Sequence, residues 1–207
     1  MLRKIAILLA LLTAMLLPHP ARAAKSSAAQ VVNAISNVLA KSPAIEAKFT
    51  LCQPGQPLTT GSAVIQGKKF TLNVPAMRVW FDGKTQWTYS KDAAEVNITE
   101  PDAAELAETN PLTIITSNAK GCKARRLDAA KGTDRVELTP TTKCSFTKAV
   151  VTSDATTNFL CEIVVTMNDG SRVIITFDSM KKIAKKPDSY FRFDKKAAPS
   201  AQIVDLR

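Results

Sequence analysis

From Ala44 onward, apolar residues return at every second position in short runs, each bounded by Gly, Pro, Asn or Asp. Ala47, Phe49 and Leu51; Ala63 and Ile65; Phe70, Leu72 and Val74; Val96 and Ile98 each put apolar side chains on one side of an extended segment. Strands that follow one another with short links pair antiparallel, so the pattern predicts a meander. After Cys122 the period resumes in Ala124 to Leu127, Arg135 to Leu138, Phe146 to Thr152, Phe159 to Thr166 and Arg172 to Phe177. The total is roughly eleven strands by these signals. A sheet that large curls, and the expected fold is mainly β with a few helices: one curled antiparallel sheet covered by helices.

The segment Met77 to Tyr89 holds both tryptophans around Asp82-Gly83, a pair suited to a tight primed turn. A two-residue turn sets Phe81 opposite Lys84, Trp80 opposite Thr85 and Arg78 opposite Trp87. Arg78, Trp80, Thr85, Trp87 and Tyr89 then share a face, which is the better candidate for burial. A looser turn that slipped the register by one would exchange the faces.

Two stretches break the period of two. Ser26-Ser27 can cap a helix with Val31, Ile35, Val38 and Leu39 on one side, ending at Ser42-Pro43. Its polar side carries little charge, so it is expected to pack on the sheet rather than on a membrane. Thr99-Glu100-Pro101-Asp102 reads as a second helix start, with Ala103, Leu106 and Ala107 on one side as far as about Thr109. Asn110-Pro111 interrupts it, and Leu112 to Ile115 resumes an apolar stretch. These two inserted helices read either as a lid on the sheet or as an ordinary packed connection.

The N-terminus combines Arg3-Lys4, an apolar run from Ile5 to Leu17 and the small-residue pattern Ala21-Arg22-Ala23. This predicts a secretory signal peptide over residues 1–23, cleaved before Ala24, and an exported chain whose residues 24–207 form one domain. The leader holds three of the 28 basic residues and none of the 18 acidic ones, so the net charge falls from +10 to about +7. The excess is dispersed and favours an anionic membrane surface or an acidic partner. A nucleic-acid groove would interleave stacking aromatics with the basic residues, whereas the aromatics here alternate in strands, so no nucleic-acid role is expected.

His19, the one histidine, lies in the leader. The exported chain is therefore without Ser-His-Asp or Cys-His catalysis and without the usual catalytic zinc ligands. Glu95, Glu100, Asp102, Glu105 and Glu108 are the carboxylates a hydrolase would need, and helix-dipole and solvent-facing roles account for them. The expectation is a binding protein, with no enzymatic activity, cofactor or metal. Cys52, Cys122, Cys144 and Cys161 are disulfide candidates in an oxidising compartment. Three pairings exist; Cys122–Cys144 with Cys52–Cys161 is favoured because the first pair flanks a hairpin. Lys181, Lys182, Lys185, Lys186, Lys195 and Lys196 make the C-terminus basic around Tyr190, Phe191 and Phe193. They fit a solvated sheet edge or transient docking to an anionic membrane surface.

Several motifs occur together and in order: Asp82-Gly83-Lys84-Thr85 followed by Trp87 and Tyr89, then Glu95-Val96, Thr99-Glu100-Pro101, Leu106 and Asn110-Pro111-Leu112. Leu138-Thr139-Pro140, Asn168-Asp169-Gly170-Ser171, Pro187-Asp188-Ser189 and Phe191-Arg192-Phe193 complete the series. Together they resemble the periplasmic outer-membrane lipoprotein carriers, the LolA-like family, and in particular its Bacteroidetes-type members. The resemblance implies an unclosed half-barrel with lid helices and a periplasmic monomer. It implies a carrier that takes acylated lipoproteins from an inner-membrane release complex to an outer-membrane acceptor. Related folds also serve in periplasmic sensors of lipoproteins, so a lipid-sensing regulatory module is the second function it implies. Phe70, Leu72, Trp80, Trp87, Tyr89, Leu106 and Ile114 are the expected acyl-chain lining. The family's Arg-Pro latch is replaced here by Gly67-Lys68-Lys69-Phe70. Arg78 is the substitute latch candidate, with a stacked structural arginine as its alternative.

Overall fold

The computed structural model of the chain describes residues 26–56, 58–102, 105–106 and 119–207. The expected signal peptide, the Asn110-Pro111 break, the stretch from Leu112 to Ile115 and most of the helix from Asp102 lie outside the described residues.

Helix α1 spans Ala28–Lys41, and Ser27 starts it. The Ser27 hydroxyl accepts from the Gln30 N–H at 3.2 Å, while the Gln30 side chain accepts from the Ser27 N–H at 2.7 Å. This reciprocal pair satisfies two donors that a helix start otherwise leaves open. Val31, Val32, Ile35 and Leu39 form its buried side. At the other end both the N–H and the hydroxyl of Ser42 donate to the Val38 carbonyl. Pro43 then prevents continuation.

Among the described residues twelve strands follow: β1 Ala44–Cys52, β2 Thr59–Gln66, β3 Lys69–Val74, β4 Met77–Phe81, β5 Gln86–Ser90, β6 Glu95–Thr99, β7 Cys122–Arg126, β8 Thr133–Pro140, β9 Phe146–Asp154, β10 Leu160–Met167, β11 Arg172–Ile183 and β12 Gln202–Asp205. They make one sheet in the order β12-β6-β5-β4-β3-β2-β1-β11-β10-β9-β8-β7. The sheet does not close; β12 and β7 are its edges. Neighbours pair antiparallel except β12, which runs parallel to β6. One expectation changes here: the sheet gains a twelfth strand from the C-terminus. The lysines at 181 and 182 lie on the end of β11 that runs past its pairing with β10, which ends at Thr176; there β11 pairs with β1, and Lys181 meets Glu46 at 2.6 Å.

The Met77 to Tyr89 hairpin is present with a longer loop than expected. Phe81 pairs with Gln86, Trp80 with Trp87 and Arg78 with Tyr89, which leaves Asp82 to Thr85 as a four-residue connection. The Asp82 carboxylate accepts from the Lys84 and Thr85 N–H groups, and Gly83 adopts a φ of 101°. That positive φ is open to glycine at no steric cost. The pairing slips by two, an even number, so Arg78, Trp80, Trp87 and Tyr89 still share a face.

Both faces of the sheet are covered, by different parts of the chain. On what we call the inner face, α1 packs chiefly over β8, β7 and β2. Its buried side chains join Ile45, Ala47, Phe49, Ala63, Ile65, Phe70, Val79, Phe81, Val136, Leu138, Ile163 and others in one large core. On the outer face, the segment between β11 and β12 crosses the sheet as a strap. Phe191 lands on Ala44 and Val64, and Ala198 and Ala201 lie with Val96, Trp87, Tyr89 and Phe193. Gln66 holds the start of the strap through two bonds with the Lys186 backbone, at 2.8 and 3.2 Å.

Candidate functional site

The register of β1 to β6 assembles the inner wall. One row runs Ile45, Ile65, Phe70, Phe81, Gln86, Thr99, and the next runs Ala47, Ala63, Leu72, Val79, Thr88, Asn97. Opposed residues in a sheet share a face, so each row is a line of neighbouring side chains. The rows are apolar from β1 through β4 and polar on β5 and β6. The Phe70 and Phe81 rings stand 5.2 Å apart at the end of the apolar part.

After β6 the chain turns toward this wall. The Asp102 carboxylate accepts from the Glu105 N–H at 2.9 Å, and the Glu105 carboxylate accepts from the Asp102 N–H at 2.8 Å. The Leu106 N–H donates to the Asp102 carbonyl, so the expected helix start at Asp102 is present. Leu106 packs against the inner core.

Of the expected lining residues, the structure brings Phe70, Leu72 and Leu106 together on the inner side. Ile114 lies outside the described residues. Trp80, Trp87 and Tyr89 stand elsewhere: they occupy the outer face, where Trp80 meets the Phe193 ring at 5.4 Å and Trp87 and Tyr89 pack with Ala198 and Ala201. The reason is parity, since Phe81 faces the inner core and its neighbour Trp80 must point the other way. The aromatic side of the hairpin is buried as expected, but beneath the strap and not against α1. Residues assigned by sequence to the mixed side, Val79 and Phe81, are the ones in the inner wall. The signal for this was the aromatic group Tyr190, Phe191 and Phe193 near the C-terminus, which needs an apolar surface of its own.

Arg78 lies with its guanidinium 4.6 Å from the centre of the Trp80 ring, the stacked arrangement of a cation over an aromatic face. It is on the outer face, opposite the side to which Leu106 packs, so it does not reach across the inner wall as a latch would.

The four cysteines carry free thiols. Cys52 on β1 pairs with Ile174 on β11, which pairs with Val164 on β10. Cys52 and Cys161 are thus two strands apart, roughly 10 Å at the usual strand spacing, with a further offset along β10. A disulfide needs α-carbons within about 7 Å, so this register overturns the Cys52–Cys161 pairing. Cys122 and Cys144 do lie near one another. Burial, and then the neighbouring Cys144, push the Cys122 thiol above its ordinary pKa.

A groove of about 500 Å³ opens at the Pro75 end of β3, walled by Lys48, Ser62, Asn73, Lys91 and Asp178 together with Phe49 and Val74. The register places Lys48, Ser62 and Asn73 on the outer face, whereas Phe49 and Val74 pack with the inner core, so the groove lies where the two sides meet. Gly61 lies within it opposite Phe49; a β-carbon there would stand 2.4 Å from the Phe49 ring, so only glycine leaves room for that ring.

A wide sheet that does not close, with a helix packed on one apolar face, is the architecture of a LolA-like half-barrel. Residues 20–170 match the model of the outer membrane lipoprotein carrier protein LolA, and the chain belongs to that family. Among solved structures, an uncharacterised conserved protein from Thermus thermophilus superposes with a TM-score of 0.58 at 10% identity, over 84% of this chain and 96% of that one. A LolA superfamily protein from Nitrosomonas europaea aligns at 10% identity with a TM-score of 0.46, over 81% and 98% of the two chains. The MucA/MucB complex of Pseudomonas aeruginosa aligns at 10% identity with a TM-score of 0.46, over 86% of this chain and 63% of that one. No curated protein sequence matches the chain.

Proposed function

We propose that this protein is a periplasmic carrier that shields the acyl chains of lipoproteins against its inner wall and delivers them from the inner to the outer membrane. The supporting observation is the wall itself: Ile45, Ile65, Phe70 and Phe81 in one row and Ala47, Ala63, Leu72 and Val79 in the next form a continuous apolar surface. Among the described residues α1 packs chiefly at β8, β7 and β2.

The energetics require such a surface. A buried methylene contributes about 0.8 kcal/mol, so a chain of about fifteen leaves on the order of 12 kcal/mol unfavourable in water. An acylated protein crosses an aqueous compartment only with those chains covered. Shielding needs no covalent chemistry, and the exported residues contain no histidine to perform it. Loading from an inner-membrane release complex and unloading to an outer-membrane acceptor complete the cycle, and neither step asks more of this chain than reversible apolar contact.

Incubating the mature protein with spheroplasts tests the reading. The expected result is a soluble complex with acylated lipoproteins, seen also as added lipid mass in native mass spectrometry. A protein that releases no lipoprotein and carries no lipid would overturn it.

A further inference from the structure

The inner wall changes character at Gln86. Its side chain is 6% exposed, it stands opposite Phe81 in the row that begins at Ile45, and its carbonyl oxygen is fully buried without a hydrogen-bond partner. Its amide nitrogen donates to the Thr88 hydroxyl at 3.3 Å. That hydroxyl, having accepted, keeps its own hydrogen to donate. A buried acceptor left unmade is costly, and a leucine or methionine in its place would avoid the cost. The neighbouring positions repeat the theme, since Thr99 adjoins Gln86 and Asn97 adjoins Thr88 on the same face.

We propose that Gln86 and Thr88 form a polar subsite that binds the amide linkage of an N-acylated ligand, while the adjoining wall of Phe81 and Val79 takes the chain. This rests on the acyl-chain reading of the inner wall and adds which linkage it selects. Gln86 Oε1 offers an acceptor and Thr88 Oγ1 a donor, and two residues apart on one strand they face the same way. An amide presents the complement, an N–H and a carbonyl. An ester presents only acceptors, so against it the Gln86 oxygen stays unpaired. The subsite therefore distinguishes a chain joined through nitrogen from the same chain joined through oxygen.

The test is competition by N-ethylpalmitamide and by ethyl palmitate against a fluorescent fatty-acid probe on the full mature chain, wild type and Gln86→Met. The wild type is expected to prefer the amide by about tenfold, and Gln86→Met to bring the two within about twofold. Equal affinities in the wild type, or a preference that survives in Gln86→Met, would overturn the subsite and leave the carrier reading standing. Displacement by neither compound would overturn both. The ligand-free stability of Gln86→Met is a second check: removing an unpaired buried carbonyl is expected to hold or raise the melting temperature. A fall of several degrees would show that Gln86 serves the fold and refute the proposal.

Discussion

Replacing Phe191 by alanine tests how the outer strap is held. The ring is completely buried, lies on Ala44 and Val64, and meets the Tyr190 ring at 5.4 Å with the two planes at 76°. Truncating a buried phenylalanine costs about 3–5 kcal/mol, less where the surroundings collapse into the space. The polar ties of the strap are weaker. Lys69 to Asp188 at 2.7 Å and Arg192 to Asp82 at 3.0 Å each have one partner more than 60% exposed, and exposed pairs contribute about 0–1 kcal/mol. A domain of this size shifts by about 2–4 °C per kcal/mol, so Phe191→Ala is expected to lower the melting temperature by roughly 10 °C and Asp188→Asn by less than about 3 °C. Trp80 gives a local reading of the same event. It is 3% exposed beneath Phe193, so loosening the strap brings it into water and shifts its emission to longer wavelength. Thermal unfolding followed by circular dichroism and by tryptophan fluorescence measures both. If Phe191→Ala melts within about 2 °C of the wild type with unchanged emission, or if Asp188→Asn costs more, apolar anchoring of the strap is wrong.

Individual contacts support four further expectations. Gly61→Val is expected to lose about 1–3 kcal/mol in urea unfolding, because its β-carbon would stand 2.4 Å from the Phe49 ring and 2.9 Å from Val74; equal stability would show that the ring moves freely. Ser27→Ala removes the capping pair of α1 and is expected to cost about 0.5–2 kcal/mol by the same assay. Burial pushes the Asp82 carboxyl up, but the Thr85 and Lys84 N–H groups and Arg192 outweigh it and hold the pKa below its ordinary 3.8. With the folded value depressed, the contribution is complete above 3.8 and is lost as pH falls through the folded value. Asp82→Asn should therefore show a flatter acid limb in a stability-against-pH series below pH 3.8. Alkylation followed by peptide mapping should label the exposed Cys52 before Cys122 and Cys161. Burial raises the latter two thiols, helped by Cys144 in one case and Asp154 in the other; a reversed order would contradict these placements.

Local signals carried far in this chain because the structures they specify are local. Ser27 and Gln30 cap the helix three residues apart, and Asp102 with Glu105 starts the next one in the same way. Alternation fixed which residues of a strand share a face, and it held for Arg78, Trp80, Trp87 and Tyr89 even though the loop between them was longer than Asp82-Gly83 alone indicated. What alternation leaves open is the identity of the face. Trp80 and Phe81 are adjacent and both buried, and nothing within the hairpin decides which of them meets α1 and which meets the strap. That choice depends on Phe193 and Phe191, more than a hundred residues away, and it moved three aromatic residues out of the expected lining and put Val79 and Phe81 in their place.

The same distinction governs the cysteines and the sheet edge. Counting four cysteines shows that pairs are possible, but separation across strands is set by the order β1-β11-β10, and that order puts Cys52 and Cys161 out of reach. The strand at Gln202–Asp205 is not expected from its sequence; a four-residue strand is stable only against a neighbour, and pairing with β6 supplies one. Residue order thus settled α1, eleven of the twelve strands and which residues of a strand share a face. The tertiary structure decided which apolar face meets α1 and left the Gln86 carbonyl oxygen unpaired on that side, because burial is a relation between segments distant in the chain.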